Sequence, residues 1–154
     1  MNGIPGADDG PHAIAMVIKK VATGYDRIIT IGSSMGGFAA LLFAHLVHAD
    51  RAVAVVPQMR IGTAAAASIG DTRFAEDYAR IDATVRDRGF LSLDGLSLSE
   101  RTKYYAVYGD QDPYDNAHIP LAQATAIDVK IMAGHDHNGT ATAVLKQRML
   151  ELVL

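Results

Sequence analysis

Four short apolar runs divide the chain, at residues 27–31, 52–56, 104–108 and 129–132. Each is rich in β-branched, aromatic or small residues and is bounded by Gly, Pro or Asp, the pattern of buried strands. Between them lie stretches with helical spacing, at 11–22, 36–49, 72–85, 119–126 and 140–154. The first helix has Asp9 or Gly10 before it, Pro11 in its first turn and Gly24 past its end. That punctuation starts and stops a helix. Asp71 opens the third helix, and Pro57 stops the second strand. Residues 1–10 are rich in Gly, Pro and Asp and read as loop, and 86–101 reads as irregular or partly helical cover.

Strands alternating with helices predict an α/β fold. The expected core is a parallel sheet of about four strands, flanked by helices and joined by right-handed crossovers. The 154 residues suit one domain, 1–154, with 58–102 as a cap-like insertion between the second and third strands. In such sheets ligands bind beyond the C-terminal strand ends, and the chain's candidate chemistry falls there.

The first strand runs into Gly32-Ser33-Ser34-Met35-Gly36-Gly37, and a helix-forming stretch follows at once. This is the strand–turn–helix setting of a G-x-S-x-G nucleophile elbow. So sharp a turn leaves little room beside the serine. Gly32 and Gly36 meet that need, and Gly37 lets the helix lie close to the sheet. Ser34 would present its hydroxyl above the strand ends, with the Met35 N–H directed at an acyl oxyanion. The plain structural reading is a tight turn with no chemistry.

Partners for a serine follow in chain order. The third strand leads into Gly109-Asp110-Gln111-Asp112-Pro113, and the fourth into Gly134-His135-Asp136-His137-Asn138. A nucleophilic serine needs a base, and the base needs a group that orients it. His137 fits the spacing after the strand, while His135 lies nearer the strand end. Asp112 fits a Gly-x-x-Asp turn, with Asp115 as its competitor. Asp110 and Asp136 read as solvated loop carboxylates. Asp112-Pro113 also reads as an ordinary turn whose aspartate bonds its own backbone.

The elbow, the Gly109-x-x-Asp112 turn and the Gly134-x-x-His137 turn together resemble the C-terminal half of an α/β-hydrolase, from about residue 10 onward. The resemblance implies Ser34 as nucleophile, Asp112 as orienting acid and His137 as general base, acting on an ester as an esterase or acyl transferase. Gly-Ser-Ser-Met-Gly-Gly-Phe-Ala-Ala-Leu, Val56-Pro57-Gln58 and Asp115-Asn116-Ala117-His118 also resemble small hydrolase-like domains of bacterial surface-polysaccharide and glycosyltransferase systems. That likeness implies an alternative, a non-catalytic binding or assembly module. Hydrolase-like folds often carry a cap between these strands, where Arg60 and Arg73 would hold an anionic substrate group. Tyr78, Phe74 and Phe90 would line an apolar pocket or belong to the core.

Composition narrows the partners. Charged residues make up 20%, the net charge is −3, and Lys and Arg form no cluster, all of which argues against a nucleic-acid surface. There are no cysteines, so disulfides and thiolate metal sites are excluded. His135-x-His137 invites a zinc reading, but spacing places no third ligand. His45 and His48, three apart, mark the side or end of the elbow helix, and His12 reads as surface. No metal or cofactor is expected. The substrate is expected to be a small-molecule ester. No basic region followed by an apolar stretch opens the chain, and no apolar helix is long enough for a bilayer, so a cytoplasmic location without membrane contact is expected.

Some parts of a full hydrolase are missing. No strand precedes residue 27, so the first strand is expected to be an edge. The loop that usually lends a second oxyanion N–H is also missing, and residues 2–6 are the candidate substitute. A homo-oligomer, or additional chain over the N-terminal sheet edge, is expected to complete the sheet.

Overall fold

A computed structural model of the chain describes residues 10–146. Its elements are α1 (Pro11–Ala22), β1 (Ile29–Ser33), α2 (Met35–Val47), β2 (Arg51–Val55), α3 (Thr63–Ile69), α4 (Ala75–Thr84), β3 (Lys103–Gly109), α5 (Pro113–Gln123), β4 (Ile127–Met132) and α6 (His137–Lys146). A 3₁₀ turn covers Arg88–Leu91. The four strands are parallel and lie in the order β1-β2-β3-β4. Ile31 pairs with Val53, Val53 with Tyr105, and Val107 with Lys130.

Small residues make the centre of the sheet. Ala52, Ala54 and Ala106 are fully buried, which lets α2 press close with Phe38, Leu41, Leu42 and Ala44. Thr30 turns its Oγ1 to the Ala40 carbonyl at 2.8 Å, so this strand residue faces α2. By strand alternation Ile29 and Ile31 face the opposite side. There α6 packs over β3 and β2. The helix α1 packs on α2 and buries Ala13 and Ala15, while Met16, Val17 and Val21 stay exposed.

The boundaries differ from expectation where a turn residue also caps a helix. The fifth helix begins six residues early, because Asp112 is its N-cap and Pro113 its first helical residue. The last begins at His137, with Asp136 Oδ1 accepting from Gly139 N at 2.6 Å as a cap. Asp136 is therefore a capping residue, and Asp110 also has a partner, accepting from Gly134 N at 2.8 Å. The tract Ala64–Ala67 lies in an unanticipated helix, α3, bracketed by Gly62 at φ 99° and Gly70 at φ 68°. Alanine has the highest helix propensity, so a short helix suits it.

The segment between β2 and β3 is tied back near the end of β2. Ile61 N donates to Leu91 O at 2.9 Å and Leu93 N to Met59 O at 2.8 Å. Arg60 and Ser92 form an antiparallel bridge. Among the described residues, no helix is long and apolar enough to cross a membrane. Residues 1–9, including Asp9 and the 2–6 segment, and residues 147–154 lie outside the described part.

Candidate active site

Ser34 sits between the last residue of β1 and the first of α2, at φ 56° and ψ −125°. Non-glycine residues rarely adopt positive φ, and such strain gathers at functional turns. The turn is held on both sides. Ser34 N donates to Val55 O at 2.9 Å, and Ser34 O accepts from Gly37 N at 2.9 Å and Phe38 N at 3.1 Å. A Cβ at Gly32 would lie 2.0 Å from the Gly36 carbonyl oxygen, so only glycine fits there. A Cβ at Gly37 would meet Pro57 Cβ at 3.0 Å. Gly36 differs from expectation, since a Cβ there meets nothing within 4 Å. Its carbonyl, rather than its missing side chain, crowds the turn. Met35 and Gly36 open α2, where N–H groups have no acceptor in the preceding turn of helix.

A second strained residue stands across from the elbow. Val56 has φ 45° and is buried, and its N–H donates to Val107 O at 2.7 Å. A β-branched residue in that region is a genuine outlier and costs on the order of 1–3 kcal/mol. The buried Tyr108 hydroxyl, its pKa raised by burial, donates to Pro57 O at 2.8 Å and fixes the next residue. Together these deliver Gln58, which is 2% exposed, to the serine. Gln58 Nε2 lies 3.5 Å from Ser34 Oγ, at the outer limit of hydrogen bonding. Gln58 Oε1 is buried without a partner, an arrangement that costs roughly 1–3 kcal/mol. The Val56-Pro57-Gln58 string alone assigns Gln58 no role. A polar residue just past a buried strand and its proline was the available signal.

The histidine–carboxylate pair is His137 with Asp115. His137 Nδ1 lies 2.9 Å from both carboxylate oxygens of Asp115. The Asp115 side chain is 3% exposed and that of His137 17%. With Nδ1 engaged, Nε2 is the ring nitrogen left for proton exchange. His137 is brought in from the sheet edge because α6 runs back from β4 over β3 and β2.

Asp112, expected as the orienting acid, is placed otherwise. Its Oδ1 accepts from Tyr114 N at 2.9 Å and Asp115 N at 3.1 Å, and its Oδ2 lies 3.3 Å from Arg73. Asp112 thus spends its carboxylate on the helix start and holds the Asp115 N–H, while the Asp115 carboxylate meets His137. His135 turns away, with Nδ1 3.0 Å from Ala133 O. Its carbonyl accepts from Gln111 N at 3.0 Å and would clash with any Cβ at Gly109. Among the described residues, no three His, Asp or Glu converge as a metal site.

His118 is buried and its Nδ1 accepts from Met59 N at 3.2 Å, staking α5 to the segment that carries Gln58. Burial lowers its pKa against the pull of Asp115 and Asp71. The two arginines expected to grip substrate already have carboxylates. Arg60 is bidentate to Asp94, at 2.9 Å through Nε and 2.5 Å through Nη2. Arg73 is bidentate to buried Asp71, at 3.0 and 2.7 Å, and stacks on Tyr114 at 4.3 Å. Burial pushes the Asp71 carboxyl up, but the Arg73 side-chain and backbone hydrogen bonds and the Arg73 charge outweigh it and hold it low. Tyr78 is buried, Phe74 packs edge-on against it, and Phe90 packs against the core and the ring of His12.

No protein-family model and no curated protein sequence matches the chain. Solved structures do match. An esterase from the archaeon Pyrobaculum calidifontis aligns over 96% of this chain at 15% identity with a TM-score of 0.62. The capsule O-acetyltransferase of Neisseria meningitidis serogroup A aligns over 91% at 15% identity, also with a TM-score of 0.62. Dipeptidyl peptidase 4 of Porphyromonas gingivalis aligns over 95% at 17% identity, with a TM-score of 0.58. The fold is that of the α/β-hydrolase enzymes. The chain covers 60%, 64% and 22% of those three proteins respectively.

Proposed function

We propose that the chain carries a serine esterase or acyl-transferase centre built from Ser34, His137 and Asp115. The observation that carries this is the buried Asp115 carboxylate on His137 Nδ1, at the same end of the sheet as the strained Ser34 turn. Ser34 Oγ attacks the ester carbonyl carbon. His137 Nε2 takes the hydroxyl proton, and Asp115 stabilises the imidazolium. The carbonyl oxygen gains the electron pair and is met by the Met35 N–H. Collapse re-forms the carbonyl and expels the alcohol, which His137 protonates. Water or a second alcohol then attacks the acyl-serine. Neighbours that are an esterase and an O-acetyltransferase support both outcomes of that last step.

An active-site fluorophosphonate should label wild-type protein at Ser34 and fail on Ser34→Ala and His137→Ala, while His135→Ala labels normally. Wild type that stays unlabelled and does not turn over an aryl acetate makes the chain a non-catalytic module instead.

A further inference from the structure

We infer that the side-chain amide of Gln58 is the second oxyanion donor of this centre. The inference rests on the serine-esterase reading and supplies the donor that it lacks. Acyl-transfer sites normally offer two donors to the developing oxyanion. Here one is the Met35 N–H, at the start of α2. The serine oxygen and the oxyanion become neighbours on one tetrahedral carbon, so a donor already placed on one is close to the other. Gln58 Nε2, 3.5 Å from Ser34 Oγ, is so placed.

The surroundings fit a donor held ready. Gln58 is buried, so its dipole acts where water does not screen it. Its backbone is fixed from both sides, by the strained Val56 and the Tyr108 bond to Pro57 before it, and by the Met59 bond to His118 after it. Its Oε1 has no partner, so among the described residues the contact with Ser34 Oγ is the one hydrogen bond this buried amide makes. On attack, the new bond runs from Ser34 Oγ to the carbonyl carbon. The carbonyl π pair moves onto oxygen, which accepts from Met35 N–H and Gln58 Nε2–H. The serine proton passes to His137 Nε2. When the tetrahedral species collapses, both donors release the oxygen.

The test compares wild type, Gln58→Leu and Gln58→Glu in hydrolysis of an aryl acetate and in inhibition by a boronic acid that forms a tetrahedral serine adduct. Thermal melting confirms that each variant is folded. Gln58→Leu is expected to lower kcat by about 100- to 1,000-fold with KM little changed. Boronate affinity should fall by a comparable factor. Gln58→Glu has the same shape but sets a carboxylate beside the oxyanion, and it should be at least as slow. The inference is overturned if Gln58→Glu keeps a tenth or more of wild-type kcat, which would mean that the amide only accepts from the serine hydroxyl. It is also overturned if Gln58→Leu raises KM alone, or binds boronate as wild type does. If neither Leu nor Glu folds, Gln58→Met is the remaining variant, judged by the same kcat and boronate criteria. Wild type that neither labels at Ser34 nor hydrolyses ester removes the underlying reading as well, an outcome distinct from an active wild type with indifferent variants.

Discussion

At the residue scale the two aspartates of the α5 start have different tasks. On the proposed mechanism Asp115→Asn keeps the shape but loses the charge that would hold the imidazolium, and kcat should fall by about 10⁴-fold. Asp112→Asn keeps a good N-cap, and kcat should stay within a few-fold. Asp112→Ala should cost about 1 kcal/mol of stability through the lost cap. Steady-state kinetics with urea melts would separate them, and equal kinetic loss at both positions would refute the division. His118 carries a different prediction. Its folded pKa lies below the ordinary 6.5 because of burial. As pH falls below 6.5 the unfolded chain takes up a proton that the folded chain refuses, so the stability this residue contributes is present above 6.5 and lost below it. His118→Ala should flatten that slope while costing roughly 1–3 kcal/mol at neutral pH, since Met59 N–H is then buried without an acceptor. Unfolding free energies measured across the range from pH 7 down to pH 5 decide it. The choice between Asp112 and Asp115 was open in the sequence because both stand near the end of one strand. A Gly-x-x-Asp turn and an Asp-Pro helix start look alike until the helix is seen to begin at Pro113.

At the element scale the elbow was legible because its signal is steric and local. A β-branched run, two glycines and an alanine-rich helix can hardly be arranged otherwise. The partner strand's contribution was not legible, since propensity alone does not put Val56 at φ 45°, and the contact that holds it, its N–H on Val107 O of β3, is long-range. Glycine substitutions test the elbow. Gly32→Ala drives a methyl onto the Gly36 carbonyl and should destabilise by about 3 kcal/mol or more. Gly36→Ala enters open space and should leave stability within about 0.5 kcal/mol of wild type. Comparable melting points for the two would mean that the turn relaxes. The tie between the insertion and the site can be probed through Asp94. Its carboxyl is held down to about 2 by the Arg60 hydrogen bonds, and further by Ser92. A depressed carboxyl contributes stability above its unfolded pKa and loses it as pH falls toward 2. Asp94→Asn should therefore remove part of the acid-induced loss below pH 4, and the effect should be small because Arg60 is 45% exposed.

For the whole molecule, Gln58 changes the count of parts. On the proposed reading, nucleophile, base, acid and two oxyanion donors are all drawn from the described residues, and what stands open among those residues is one edge of the sheet. Strand β1 pairs with β2 on one side only among the described residues, and an unpaired edge invites association. Beside that edge, a groove of about 400 Å³ between α1 and β1 is lined by Val17, Ile18, Val21, Tyr25 and Ile28, with Arg27 among them. Ile31, on the face away from α2, is 56% exposed, and Val21 is 69% exposed. Exposed apolar side chains thus stand on both faces beside the unpaired β1 edge, where association would cover them. The expected outcome is that the chain alone self-associates through this face, with the sedimentation coefficient rising with concentration. Val21→Glu, on α1 and outside the elbow, should shift the chain toward monomer and leave fluorophosphonate labelling of Ser34 intact. The argument fails if wild type sediments as a monomer throughout the micromolar range while hydrolysing an aryl ester at roughly 10⁴ M⁻¹s⁻¹ or above. That result would mean that the β1 edge is already covered by the chain's own residues, and that nothing beyond them is needed to hold Ser34 in place.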